Sequence, residues 1–204
     1  MSVTVASQGV RNRATLVGNI CSAIPSMDSG PILSALNTKV IVKSLSGSRE
    51  IPIEQWFIAP RKTSLSDFEV VTSVVIELAE HRQSGCYLKL GRYKGEDLAQ
   101  ASVFVAFGGK DNSWRVSFGA VAPTPIRSRS IEKMLTEYSK QQDHEKQLIL
   151  MDKIQQQAEI EISPISDIRA SEEYRTHMIK VMLKRAINKT LDRYSNNDYG
   201  KTIL

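Results

Sequence analysis

The sequence predicts an α+β fold in which antiparallel strands come first and helices follow. Three observations carry this. The run FEVVTSVVIEL at Phe68 to Leu78 is dense in β-branched residues, which favour a pleated strand. The segments QASVFVAF and SWRVSFGA alternate apolar and polar positions on either side of GGKDN, the pattern of a hairpin. Beyond residue 130 the apolar spacing changes from two to three and four, the helical period.

The elements can be placed in order. KVIVK, centred on Val40 to Val42, is a short strand closed by the SLSGS turn, and Arg49 to Ile53 is a second strand whose Pro52 suits a sheet edge. After the loop FIAPRKTSLSD comes the strand at Phe68 to Leu78, then one at Gly85 to Leu90, then the hairpin. VAPTPIRSRS, from Val121 to Ser130, lacks periodicity and is a connection. Ile131, Met134, Leu135 and Tyr138 mark a first helix; Leu148, Met151 and Ile154 mark a second from Glu145 to about Gln157. A third opens at Ser171, a good N-cap followed by Glu172 and Glu173, which complement the positive end of the helix dipole. Its stripe Ile179, Leu183, Ile187 and Leu191 is a packing face. The polar stretch from Ser195 to Leu204 reads as a frayed tail.

A length of 204 residues allows one large domain or two small ones. The opening MSVTVASQGV lacks the basic start and apolar centre of a signal peptide, and no apolar run is long enough to span a bilayer. A soluble, cytoplasmic protein with no membrane partner is expected. Cys21 and Cys86 form no CxxC pair and read as free thiols. A net charge of +5 is modest, with acids interspersed, and argues weakly for a nucleic-acid partner.

Common catalytic patterns are missing. His81, His144 and His177 are far apart, with no HExxH or paired CxxC, so no metal site is expected on this chain. Neither GxSxG nor a P-loop occurs. Cys86 follows His81 by five residues, but a buried cysteine beside a surface histidine explains the pair without nucleophilic chemistry.

What remains is RNRATLVGNICSAIPSMDSGP, from Arg11 to Pro31, crowded with residues that break regular structure. We read TLVGN, at Thr15 to Asn19, as a shaped turn that points successive backbone N–H groups into one concavity, Gly18 leaving room for a ligand and the Thr15 hydroxyl adding a donor. Such a nest suits phosphate, although a Gly-Asn pair also serves simply to reach a positive φ.

The longer string RNRATLVGNICSAIPSMDSGPILSAL closely resembles a flavin-contacting segment of the FAD-binding subunits of molybdenum hydroxylases, the xanthine dehydrogenase, carbon monoxide dehydrogenase and 4-hydroxybenzoyl-CoA reductase group. APRKTSL, YLKLGRYKGEDLAQASV, FGAVAPTPIRSR and ISPISDIRASEEYR follow in the family's order, so the resemblance covers about Gly9 to Leu191.

It implies the later part of a vanillyl-alcohol-oxidase-type FAD-binding domain over residues 1–82, then a smaller flavoprotein domain over 83–194, an antiparallel sheet packed on helices. It further implies that Thr15, Gly18 and Asn19 hold the FAD pyrophosphate, that Ser22 and Asp28 hydrogen-bond the cofactor, and that Val71 and Lys89 complete the cofactor set. Lys89 would lie near the flavin ring as a cation, the alternative being a solvated strand lysine. The loop Gly91 to Leu98 would border the ring, with Arg92 and Asp97 shaping the local field. Asp167 and Arg169 are expected to form a local ion pair.

Two departures from the family pattern stand out. Val17 replaces the first glycine of the usual GGN and would be strained if its φ were positive. The chain also begins almost at this segment. The expectation is therefore that the preceding portion is a separate polypeptide, or that the chain is truncated, holds little flavin alone and exposes an apolar surface where that portion docks.

The implied function is an oxidoreductase component, inactive alone. It would pass electrons from the iron–sulfur small subunit, fed by the molybdopterin-bearing large subunit, through FAD to NAD or another acceptor. The 2Fe-2S clusters and molybdopterin would sit on the partners and no catalytic residue on this chain. The rivals are a cofactor-free scaffold and a nucleic-acid module built on Lys180, Lys184, Arg185, Lys189 and Arg193.

Overall fold

The structure is a computed structural model that describes residues 4–77, 83–93 and 97–196. Its opening corrects the reading of Thr15 to Asn19 as a shaped turn and of the stretch around it, Arg11 to Pro31, as too rich in breakers for regular structure. One helical turn, α1 (Gln8–Arg11), is followed by α2 (Leu16–Ser22) and α3 (Ser29–Ala35). The breakers are accommodated because they fall at helix ends. Thr15 is extended and its Oγ1 accepts a hydrogen bond from Gly18 N at 2.9 Å, an N-cap. Ala23 leaves α2 in the left-handed region at φ 45°. Pro31 sits in the first turn of α3, where no intrahelical N–H is missed.

A sheet of three antiparallel strands follows: β1 (Lys39–Ser44), β2 (Gly47–Pro52) and β5 (Val70–Val75), ordered β2-β1-β5. Pro52 ends an edge strand, as its missing donor demands. The strand expected over 68–78 is shorter. Phe68 adopts φ 65° and is 94% exposed, so it lies in a bend before the ladder begins. Between these strands lie α4 (Ile53–Trp56) and a small hairpin, β3 (Phe57–Ala59) with β4 (Lys62–Thr63). Ile20, Val40, Val42, Ile51, Ile53 and Trp56 form the core beneath this first sheet.

The second sheet runs β6 (Gln83–Leu90), β7 (Ala101–Gly108), β8 (Ser113–Gly119) and β9 (Ile126–Arg127), antiparallel throughout. The hairpin places Phe107 opposite Trp114, their ring centroids 4.7 Å apart. The prolyl connection is not wholly irregular, since Ile126 pairs with Phe118 to make β9. One sheet face packs on α5 (Arg129–Lys140), α6 (His144–Glu161) and α7 (Glu172–Ser195). Ser171 caps α7 as its sequence predicts, and Ile179, Leu183 and Ile187 are fully buried. Leu148 of α6, by contrast, faces outward at 48% exposure. Asn196 ends α7, and residues 197–204 of the expected tail lie outside the described set.

The alternation of β7 and β8 predicts half-buried strands, yet Ser102 and Ser117 on the other face are also buried. The reason is α3, which crosses that face on short side chains. Ser117 Oγ donates to Pro31 O, and a Cβ on Gly119 would stand 2.5 Å from Pro31 Cγ. Gly119→Ala therefore costs about 1–3 kcal/mol by overpacking, read as a fall in the urea midpoint.

The coil before α7 is held by charge. Asp167 pairs with Arg169 at 2.6 Å, as expected, and with Arg175 at 2.7 Å. Arg175 is 2% exposed and also donates to the carbonyls of Gln100 and Ala120. Among the described residues no helix is long and apolar enough to cross a membrane.

Candidate functional site

Thr15 aims the start of α2 outward. The N–H groups of Leu16 and Val17, in its first turn, have no intrahelical acceptor, while that of Gly18 goes to Thr15 Oγ1. Gly18 is exposed, and a Cβ there would meet only Thr15 Oγ1. Val17 is helical and not among the positive-φ residues, so it carries no backbone strain. Beside this end stands Arg11, whose Nη1 donates to Val5 O at 2.9 Å and to Ala6 O. Arg11, Thr15, Leu16, Asn19 and Ser29 line a cavity of about 190 Å³.

A second cavity, also about 190 Å³, adjoins the first at Val5 and Asn19, which line both. Asn19, Ser22, Asp28 and Lys89 converge on it. The last turn of α2 orients two of them: Ser22 Oγ donates to Asn19 O at 2.6 Å, and Asn19 Oδ1 accepts from Ser29 Oγ. Asp28 occupies the N-cap position of α3 but makes no cap bond; its carboxylate instead reaches β6. Oδ1 accepts from the Tyr87 hydroxyl at 2.6 Å and Oδ2 from Lys89 Nζ at 2.9 Å. Tyr87 and Lys89 are two residues apart, so they share one sheet face.

Lys89 also donates to Thr4 O at 3.0 Å and is 12% exposed along its side chain, unlike a solvated strand lysine. Burial first, then the Asp28 carboxylate, push the Tyr87 phenol far above its ordinary range.

Five of the seven residues singled out from sequence therefore face the two joined cavities, with Gly18 on the helix between them. Val71 does not join them. It pairs with Val42 and packs against the core of the first sheet with Val74 and Ile76. Arg92 N bonds Asp97, and the Arg92 guanidinium bonds Ile168 O, which ties their loop to the coil before α7; residues 94–96 lie outside the described set. Sequence reasoning missed Tyr87 and Arg11. The i, i+2 relation of Tyr87 to Lys89 was readable, but nothing local pointed to Asp28 as their common acceptor.

A third cavity, of about 320 Å³, shares Ile24, Ser26 and Leu98 with the second and is lined by Arg61, Arg169 and Arg175. Among the described residues no cluster of side chains suits a metal ion. Cys86 is buried, which raises its thiol pKa, as expected of an inert cysteine. On α7, Lys180 is paired with Glu159 at 2.7 Å and Arg193 donates to Gly85 O, so two members of the basic set serve internal contacts.

Residues 1–77 match the family described as the FAD binding domain in molybdopterin dehydrogenase, and residues 87–190, half of the chain, match that described as the CO dehydrogenase flavoprotein C-terminal domain. The chain belongs to this flavoprotein family. The two portions occur in the order the sequence resemblance implies. The glyceraldehyde dehydrogenase medium chain of Sulfolobus acidocaldarius is 31% identical over 186 residues, covering 90% of this chain and 63% of that one. The xanthine dehydrogenase FAD-binding subunit of Escherichia coli O157:H7 is 28% identical over 196 residues, covering 92% and 64%. A solved carbon monoxide dehydrogenase from Hydrogenophaga pseudoflava superposes with a TM-score of 0.82 at 27% identity, over 93% of this chain and 65% of that one. The molybdopterin dehydrogenase flavoproteins it matches are thus longer, and the chain spans about two thirds of their length. These likenesses do not favour a nucleic-acid module.

Proposed function

We propose that this chain is the FAD-binding, electron-transferring medium component of a cytoplasmic molybdenum hydroxylase. The observation that carries the reading is the convergence of Asn19, Ser22, Asp28 and Lys89 on one cavity that continues past Asn19 to the open end of α2. The residues fit the cofactor. Amides at Leu16 and Val17 without an intrahelical acceptor, the absent side chain at Gly18 and the nearby Arg11 guanidinium suit a diphosphate, while Ser22, Asp28 and Lys89 would offer donors and acceptors to the rest of the cofactor.

Bound there, FAD supplies the redox chemistry that links electrons from iron–sulfur centres to NAD or another acceptor. The chain would bind and orient it: the start of α2 and Arg11 would hold the phosphates, and Asp28 and Lys89 would hold the part of the cofactor that enters the second cavity. Large molybdenum-binding and small iron–sulfur subunits are the partners.

The test is a flavin titration of the chain assembled with its molybdenum and iron–sulfur subunits. Flavin absorbance that survives desalting is the expected result, and Thr15→Ala, which removes the cap, lowers the affinity about fivefold, the effect of about 1 kcal/mol. An assembled complex that stays colourless at saturating FAD overturns the reading.

A further inference from the structure

We propose that Asp28 and Tyr87 are positioning residues for Lys89, so that Lys89 meets the cofactor as an aimed hydrogen-bond donor whose charge is cancelled, not as a free cation. This rests on the flavin reading above and goes beyond it. A bare ammonium beside a flavin favours the reduced form, which gains negative charge. Here the ammonium is 2.9 Å from the Asp28 carboxylate, and both groups are largely withdrawn from water, with side-chain exposures of 12% and 7%. At that separation the pair presents a dipole to the cavity in place of a unit charge.

Tyr87 completes the arrangement. A carboxylate held only by Lys89 can rotate about its last torsion, but the Tyr87 hydroxyl takes the other oxygen at 2.6 Å and fixes the plane. Thr4 O takes a second ammonium hydrogen at 3.0 Å. That leaves one N–H of Lys89, in a fixed direction, for a ligand acceptor. The raised phenol pKa keeps Tyr87 a hydroxyl donor throughout the range in which the protein is handled.

The sign of two substitutions tests this. The readout is the ratio of the dissociation constants of oxidised and reduced flavin, measured on the assembled complex by optical titration. Asp28→Asn leaves the ammonium uncompensated, and the ratio rises on the order of tenfold in favour of the reduced form. Lys89→Met leaves the carboxylate uncompensated, and the ratio falls by a similar factor. The double variant returns to within about threefold of the parent. Tyr87→Phe shifts the ratio in the direction of Asp28→Asn, by less.

A purely structural role would weaken both affinities together and leave the ratio where it was. Shifts of the same sign for Asp28→Asn and Lys89→Met, or a Tyr87→Phe complex with unchanged affinities and ratio, overturn the proposal while leaving the flavin reading intact. No flavin uptake by the unsubstituted complex overturns both. If Lys89→Met does not accumulate, the isosteric Asp28→Asn decides alone by the sign of its shift.

Discussion

Arg175→Ala lowers the folding free energy by about 3–5 kcal/mol, the cost of breaking a buried ion pair from one side. The guanidinium is 2% exposed and joins three segments: Nη1 donates to Gln100 O at 2.5 Å and Ala120 O at 3.4 Å, and Nη2 to Asp167 Oδ1 at 2.7 Å. Removing it takes a donor from the carbonyls of Gln100 and Ala120 and one of several partners from the Asp167 carboxylate. Because Asp167 keeps 22% of its side-chain exposure and a second partner in Arg169, water relieves part of the penalty, and the result should fall toward the lower end of the range. Equilibrium urea denaturation measures it.

The same pair has a pH signature. Arg169, the backbone amides of Arg169 and Ala170, and Arg175 together hold the Asp167 carboxyl well below its ordinary value of 3.8. A depressed folded-state pKa contributes stability that is present above the unfolded value and is lost as pH falls below it. Asp167→Asn should therefore be less stable than the parent at pH 7, with the gap narrowing as the pH is lowered through 4 toward 2. A gap that widens on acidification contradicts this assignment.

Trp56→Ala has an effect of similar size and a second consequence at the candidate site. Trp56 is fully buried in the first core, and its Nε1 donates to Ile20 O at 3.0 Å. Truncation costs about 3–5 kcal/mol through lost transfer energy and the cavity left behind. Ile20 belongs to α2, between Asn19 and Ser22, so the indole also locks the helix that presents both residues. Trp56→Phe separates the two effects. It keeps most of the volume and removes the indole donor, while Ile20 O keeps the Ala23 N–H at 3.2 Å, so the lost hydrogen bond costs about 1 kcal/mol. Thermal melts of the three proteins, with flavin affinity measured on the assembled complex, should show affinity falling in Trp56→Phe even well below its melting temperature.

Much of this architecture was legible because its periodicities are undiluted. The stripe Ile179, Leu183 and Ile187 and the alternation of Val103 and Val105 each admit one reading, and the structure follows them. The opening stretch misled because Gly, Asn and Pro were weighed as breakers without regard to position. Thr15 as a cap makes Gly18 the third helical residue, and Pro31 in the first turn of α3 breaks nothing. The burial of Ser102 and Ser117 was hidden because period-two reasoning assigns the small polar face to solvent, and only the crossing of α3 withdraws it.

At the candidate site, the motif pointed to Asp28 and Lys89 separately. Their pairing, and the part of Tyr87, depend on β6 passing the start of α3, a juxtaposition no local pattern encodes. Val71 shows the converse: a residue carried over from resemblance that lies away from the two joined cavities, its side chain partly buried against the core of the first sheet.

The helix α3 has one more consequence. Leu33 is anchored beneath the first sheet, while Pro31 lies against Gly119 and Ser117 of the second, so one short rod is a shared wall of both halves. A cut near residue 82 would divide the polypeptide between two sequence families yet strip one half of its cover. The seam that divides its ancestry is not a seam in its cooperativity, and heat should melt the two halves together.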